Sequence, residues 1–65
     1  MQAGDRVVYI PNHAQGPEDY EYGTISSLNS KGEPWVKFDK QVAKLGWENT
    51  TSQVCYLHNI KVISP

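Results

Sequence analysis

Aromatic side chains are the residues of this sequence best suited to molecular recognition. Tyr and Trp rings offer rigid contact area with a polar edge, and their faces attract cations. Five of the seven aromatic residues form the candidate set: Tyr9, Tyr20, Tyr22, Trp35 and Trp47. Three or four facing rings would make a cage for a methylated cation, whereas the alternative is that they fill a small core. We expect Trp35 and Trp47 to lie at the surface and Tyr9 to belong to the core.

An acidic stretch near the N-terminus is the second candidate. Residues 12–21 contain a glycine-proline pair and no periodic apolar pattern, which predicts a long ordered loop. The stretch carries four potential ligands, His13, Glu18, Asp19 and Glu21, but their spacing matches no zinc or calcium site. We therefore predict no metal site. A solvated loop and a contact surface for a basic partner are the two alternatives.

Lysines supply a different chemistry, the binding of nucleic acid. Lys37, Lys40 and Lys44 would contact phosphates while bases stack on Trp35. However, six basic and seven acidic residues leave a net charge of −1, without the broad positive field that favours phosphate binding. Nucleic acid is therefore the alternative to a protein partner, and a solvated lysine face is a third interpretation. The near-neutral balance also leaves a homo-oligomer open.

Nucleophilic catalysis has a single candidate, Cys55. A lone cysteine on a strand is usually a small buried hydrophobe, and neither a phosphate-binding loop nor a Ser-His-Asp pattern accompanies it. We predict no catalytic residue, no cofactor and no enzyme activity. An unpaired thiol fits a reducing compartment, and the sequence shows neither a signal sequence nor an apolar run of roughly 18 residues. We expect a cytoplasmic protein that does not enter a membrane.

The elements that must position these side chains are short strands. Five runs rich in β-branched and aromatic residues predict strands at residues 6–10, 22–28, 34–38, 51–56 and 61–63. The turn-forming residues between the second and third runs predict a hairpin. Alternation along the third strand places Val36 and Phe38 inside, and Trp35 with Lys37 outside.

A short helix is predicted between the third and fourth strands. Asp39 is the expected N-cap, Val42 and Leu45 recur three residues apart, and Gly46 ends the pattern. Residues 57–60 are expected to form a tight turn before the last strand. A chain of 65 residues has room for one core, so the strands predict one all-β domain. A small five-stranded barrel would hide the sheet edges by closing on itself.

The order of the motifs resembles SH3-like barrels of the Tudor and KOW type. The motifs are Gly4-Asp5-Arg6-Val7, Tyr22-Gly23-Thr24-Ile25, Trp35-Val36-Lys37-Phe38-Asp39, and a last strand after Leu57-His58-Asn59-Ile60. The resemblance implies a single SH3-like barrel over residues 1–65. It also implies a binding function, because Tudor-like barrels use aromatic rings as cages. SH3 domains place acidic residues in the loop corresponding to residues 12–21, where they pair with arginines of proline-rich peptides.

A second resemblance concerns the segment Gln53-Val54-Cys55-Tyr56. It is similar to the Val-Gln-Ile-Tyr segment that lines the central pore of the tetrameric, plasmid-encoded type II dihydrofolate reductases. Tyr56 matches that pattern. Gln53, however, is one position away from the family's glutamine, and a shift of one residue turns a strand side chain to the other face. An oligomeric reductase is therefore the third hypothesis, and the activity is not carried over.

The leading hypothesis is a non-catalytic protein-interaction module, an accessory or inhibitory protein of a phage, plasmid or other mobile element. A nucleic-acid-binding barrel is the alternative. Nine residues are predicted to contact the partner: Glu18, Asp19, Tyr20, Tyr22, Trp35, Lys37, Lys40, Lys44 and Trp47.

Overall fold

The computed structural model describes residues 1–64 and contains five strands. They are β1 (Arg6–Tyr9), β2 (Glu21–Leu28), β3 (Pro34–Phe38), β4 (Gln53–Val54) and β5 (Ile60–Ser64). One helix, α1 (Asp39–Leu45), lies between β3 and β4. Two 3₁₀ turns, Pro17–Asp19 and Leu57–Asn59, precede β2 and β5. The predicted all-β domain with one short helix after the third strand is therefore confirmed.

All five strands belong to one antiparallel sheet, in the order β4-β3-β2-β1-β5. The first four strands follow one another as a meander, and β5 returns to pair with β1. β4 and β5 form the two edges, and no pairing between them closes the sheet in the part of the chain described here. Closure into a barrel stays a prediction.

The core lies on one face of the central strands, where alternate side chains are buried. It comprises Val7, Ile25, Val36, Phe38, Cys55 and Ile60. The predicted alternation in β3 is confirmed, since Val36 and Phe38 are buried whereas Trp35 and Lys37 are partly exposed. Tyr9 is only half-buried. Its ring packs edge-to-face on Phe38, with centroids 6.1 Å apart, at the border of the core.

The predicted hairpin between β2 and β3 is also confirmed. The Asn29 side-chain oxygen accepts hydrogen bonds from the backbone N–H groups of Lys31 and Glu33, each at 2.9 Å. Gly32 completes the turn at a φ of 80°, a conformation that other residues rarely adopt. These interactions between residues close in the sequence are sufficient to direct β2 back against β3.

The fourth strand is shorter than predicted. Gln53 and Val54 pair with β3, opposite Val36 and Trp35, and the N–H of Cys55 donates to the Pro34 carbonyl at 3.0 Å. The chain on either side is held by other bonds: the Thr50 hydroxyl donates to the Gly46 carbonyl at 2.7 Å, and the Tyr56 carbonyl accepts from the N–H of Asn59. Residues 51–52 and 55–56 are therefore extended or turning chain and not strand.

Three smaller predictions are corrected. Asp39 is the first residue of α1 and does not cap it, because its carboxylate is taken by Arg6. The loop at residues 12–21 contains a 3₁₀ turn, and Glu21 already belongs to β2. The tight turn expected at residues 57–60 is a 3₁₀ turn that ends at Asn59. The α1 terminus at Gly46, with φ 84°, lies where the sequence places it.

Candidate functional site

The loop between β1 and β2, residues 10–20 and here called the first loop, is fastened at its base by a buried asparagine. The side-chain amide of Asn59 donates to the Ile10 carbonyl at 2.8 Å and to the side-chain oxygen of Asn12 at 2.9 Å. The N–H of Ile10 donates in turn to the Asn59 carbonyl. These bonds join the start of the first loop to the 3₁₀ turn before β5, so the loop leaves the sheet in a defined direction.

The rest of the first loop is folded by short-range bonds. Pro17 opens the 3₁₀ turn, as proline's fixed φ favours. The carboxylate of Asp19 accepts the N–H of Gln15 at 3.0 Å, and the N–H of Tyr20 donates to the Pro17 carbonyl at 3.1 Å. The loop is therefore an ordered wall beside the sheet.

An open groove of about 530 Å³ lies between this wall and the start of α1. We call it the first-loop groove. Its lining residues are Tyr9, Pro11, Asn12, His13, Glu18, Asp19, Tyr20, Glu21 and Lys40. Three carboxylates face one lysine in this set, so the groove favours cationic ligands.

Two tyrosines give the groove flat contact area. Tyr9 is fixed from behind by Phe38, and Tyr20 is half-buried at the end of the 3₁₀ turn. A tyrosine ring can pack against an aliphatic stem or a guanidinium while its hydroxyl makes a hydrogen bond. The groove therefore combines acidic groups with aromatic surface, which is the chemistry that binds the side chains of arginine and lysine.

Arg6 positions the helix side of the groove. Its guanidinium forms two hydrogen bonds of 2.7 Å with the Asp39 carboxylate and a third with the Thr24 hydroxyl. The hydrogen bonds from Arg6 lower the pKa of Asp39 below its usual range, more than burial raises it. This ion pair ties β1 to the first residue of α1 and so places the next residue, Lys40, at the groove.

The structure divides the nine predicted contact residues. Glu18, Asp19, Tyr20 and Lys40 line the first-loop groove together. The other five lie outside it: Tyr22, Trp35, Lys37, Lys44 and Trp47. Tyr22 stands opposite Val8 in the pairing of β1 with β2, and Lys44 is exposed near the end of α1.

Lys37 and Trp47 form a second, self-contained cluster. The Lys37 ammonium donates to the Trp47 carbonyl at 2.7 Å and lies 4.5 Å from the centre of the indole. The lysine is therefore engaged by its own chain. The ring pairs of residues 1–64 are Tyr9 with Phe38 and Tyr56 with His58, and neither pair unites two of the five candidate rings.

Cys55 lies in the core, as the sequence predicts for a small buried hydrophobe. Burial, with a smaller effect of the Glu21 charge, raises the pKa of its thiol. A raised pKa reduces the fraction of reactive thiolate. Its neighbours Gln53, Val54 and Tyr56 are exposed, so the segment similar to the reductase pore presents those three side chains to solvent.

Asn59 is the residue of the site that sequence reasoning missed. It is buried, yet its partners Ile10 and Asn12 are 49 and 47 residues away along the chain. The available signal was an asparagine two residues before a predicted strand, which indicates a turn and says nothing about a distant loop.

Within residues 1–64, no group of three His, Cys, Asp or Glu side chains is placed to hold a metal ion. The same residues include no helix with the length and apolar character needed to span a membrane. Comparison of the chain with family models, curated proteins and solved structures finds no match.

Proposed function

We propose that this domain is a non-catalytic protein-interaction module on an SH3-like barrel, and that the first-loop groove is its binding surface. The observation that carries the proposal is the composition of that groove. One ordered loop presents Glu18, Asp19 and Tyr20 beside Tyr9, opposite Lys40 on α1. The partner is a protein segment that contributes a basic side chain.

The order of elements supports the SH3-like part of the proposal. Strands β1 to β4 form a meander, and the last strand follows a 3₁₀ turn at Leu57–Asn59 before pairing with β1. Irregular register occurs in β2 between Ile25 and Ser27, and again where β5 passes Arg6 and Val7. Such bulges bend strands and increase their twist, which curls a sheet towards a barrel.

The charges of the groove favour a basic partner over nucleic acid. Its carboxylates would repel phosphates, whereas a guanidinium can form two charge-assisted hydrogen bonds with a carboxylate. Among the lysines proposed for phosphate contact, Lys40 lies beside those carboxylates and Lys37 is bonded to the Trp47 carbonyl.

A capture experiment tests the proposal with one matched pair of charge reversals. Glu18→Lys changes the groove, and Glu48→Lys makes the same change at an exposed residue outside it. Host lysate, with and without nuclease treatment, is passed over the wild-type domain and both folded variants. A captured protein is then identified and its affinity is measured with purified components.

We expect Glu18→Lys to weaken binding about tenfold or more and Glu48→Lys to leave it nearly unchanged, because only the former reverses a charge beside the ligand. Equal binding by all three proteins would contradict the assignment of the groove. Capture that disappears with nuclease and weakens steeply with salt would favour a nucleic-acid-binding barrel. A tetramer with reductase activity would favour the enzyme hypothesis.

A further inference from the structure

Strand β5 is an edge that the rest of the described chain leaves uncovered. It pairs with β1 on one side, and the strand order places nothing on its other side. The opposite edge, β4, is only two residues long, whereas β5 has five. Residues 61–64 of β5 are all exposed, including Val62 at 44% and Ile63 at 51%.

The hydrogen bonds beside β5 show which backbone groups face outward. The N–H of Ile10 donates to the Asn59 carbonyl. These two residues, which directly follow β1 and directly precede β5, therefore form a hydrogen-bonded pair. Such pairs alternate along an antiparallel ladder. The next hydrogen-bonded pair is Val8 with Lys61, which leaves the N–H and carbonyl of Val62 pointing away from β1.

An independent bond agrees with this alternation. The N–H of Ile60, two residues before Val62, donates to the Leu57 carbonyl of the 3₁₀ turn and not to β1. Ile60 and Val62 therefore direct their backbone groups to the same outer side, where Ile60 has an internal partner. Unpaired groups on an exposed strand select another strand as their partner.

Strand β5 has few of the features that usually protect an edge strand from pairing with another chain. β5 carries one charged residue, Lys61, and no proline within residues 60–64. Its register irregularity lies beyond Val62, where Ser64 pairs with Arg6 and Ile63 is left without a partner on β1. Residues 60–62 thus present a regular edge followed by an exposed isoleucine.

We propose that β5 pairs antiparallel with β5 of a second copy of this chain, about a two-fold axis at Val62. Val62 of each copy then exchanges both backbone hydrogen bonds with Val62 of the other. Lys61 stands opposite Ile63 of the second copy, so the two Lys61 side chains do not face each other. The exposed side chains of Val62 and Ile63 are covered by the second copy. The net charge of −1 adds little repulsion between copies.

The test measures association as a function of concentration. Sedimentation velocity from micromolar to millimolar protein compares wild type with Val62→Lys and with Val54→Lys, a matched change at the other edge, where Val54 is 46% exposed. We expect a concentration-dependent dimer for wild type and for Val54→Lys. Val62→Lys should raise the dimer dissociation constant at least about tenfold, because it opposes two lysines at the axis.

Amide hydrogen exchange provides a second measurement that needs no substitution. The Val62 amide should exchange rapidly in dilute protein and become protected as concentration rises, while the Lys61 amide, bonded to β1, should be protected throughout. A protein that stays monomeric at every concentration would overturn the proposal. A dimer abolished by Val54→Lys and kept by Val62→Lys would move the interface to β4 and equally overturn it.

Discussion

The central strands and the first loop are held by different forces. In the strands, Val7, Ile25 and Val36 are almost completely buried, and apolar contact provides the cohesion. In the first loop, order comes from polar bonds, chiefly those of Asn59 and Asp19, while the side chains that line the groove remain accessible. The fold and the proposed binding surface of this domain therefore depend on largely separate residues.

This separation has a consequence for function. A group that binds a partner needs hydrogen-bonding capacity or charge that its own chain leaves unused, whereas buried polar groups that build a fold must be satisfied inside it. Glu18 in the groove is accessible, but Lys37 is already bonded to Trp47. Two charged residues that the sequence predicts equally as partner contacts thus have different prospects of making them.

The same glycine-to-alanine change should destabilise the central strands far more than the first loop. In the central strands, a Cβ at Gly23 would lie 2.6 Å from Val36 Cγ1 and 2.8 Å from the Lys37 carbonyl oxygen. In the first loop, a Cβ at Gly16 would meet only the end of the flexible Glu18 side chain. We expect Gly23→Ala to cost about 3 kcal/mol of unfolding free energy and Gly16→Ala less than about 0.5 kcal/mol.

Urea denaturation of the two glycine variants measures this difference. Comparable losses in both would mean that the first loop is packed as tightly as the strands, and the contrast between the two regions would fail.

An intermediate effect is expected at the junction of the two regions. Asn59→Ala removes the two side-chain bonds at the base of the first loop and leaves the Ile10 carbonyl without its amide donor. We expect a loss of about 2 kcal/mol and weaker partner binding, because the loop is no longer fastened. Denaturation and affinity are measured on the same samples.

The control for this change is Asn49→Ala, which removes an exposed amide that donates to the Leu45 carbonyl. It should cost under about 0.5 kcal/mol, because water can replace that bond. If Asn59→Ala kept full affinity, the ordering of the groove by Asn59 would be refuted.

The smallest effect concerns the ion pair of Arg6 with Asp39, both more than one third exposed. We expect Asp39→Asn to cost less than about 1 kcal/mol at pH 7. Because folding lowers the pKa of Asp39, its contribution is present above the unfolded value of about 3.9 and is lost as pH falls through the lower, folded value. Wild type and variant should therefore converge in stability below about pH 4, as measured by denaturation across pH. A difference in unfolding free energy that stays constant with pH would assign the effect to packing.

Local signals predicted the strands well. The hairpin between β2 and β3 depends on Asn29 and Gly32, whose conformations are set by neighbours in sequence. The inward positions Val36 and Phe38 follow from a period of two along one strand. The end of α1 at Gly46 is similarly local. β4 is shorter than predicted because short-range bonds hold the chain beside it, from Thr50 to Gly46 and from Asn59 to Tyr56. At Asp39 the prediction failed because the competing partner was distant: Arg6 lies 33 residues earlier.

The candidate site was predicted only in part for the same reason. Glu18, Asp19 and Tyr20 stood out by type, and Lys40 was predicted both as a partner contact and, in the nucleic-acid alternative, as a phosphate contact. Nothing in their spacing brings Lys40 to the first loop, because that proximity requires β1 to pair with β2 and Arg6 to hold the start of α1. Composition indicated which side chains could bind a partner, and the sheet selected which of them share a groove.

By itself the sequence determined the short strands, the turn between β2 and β3, the helix end at Gly46 and the burial of Cys55, because each follows from backbone preference or from apolar character. The folded structure was needed to show that Lys37 is bonded to Trp47, that Asn59 fastens the first loop, and that no strand within residues 1–64 pairs with the outer side of β5. A hydrogen bond or an ion pair needs a partner that is close in space. Because such partners can be far apart in the sequence, the residues around either one do not reveal the other.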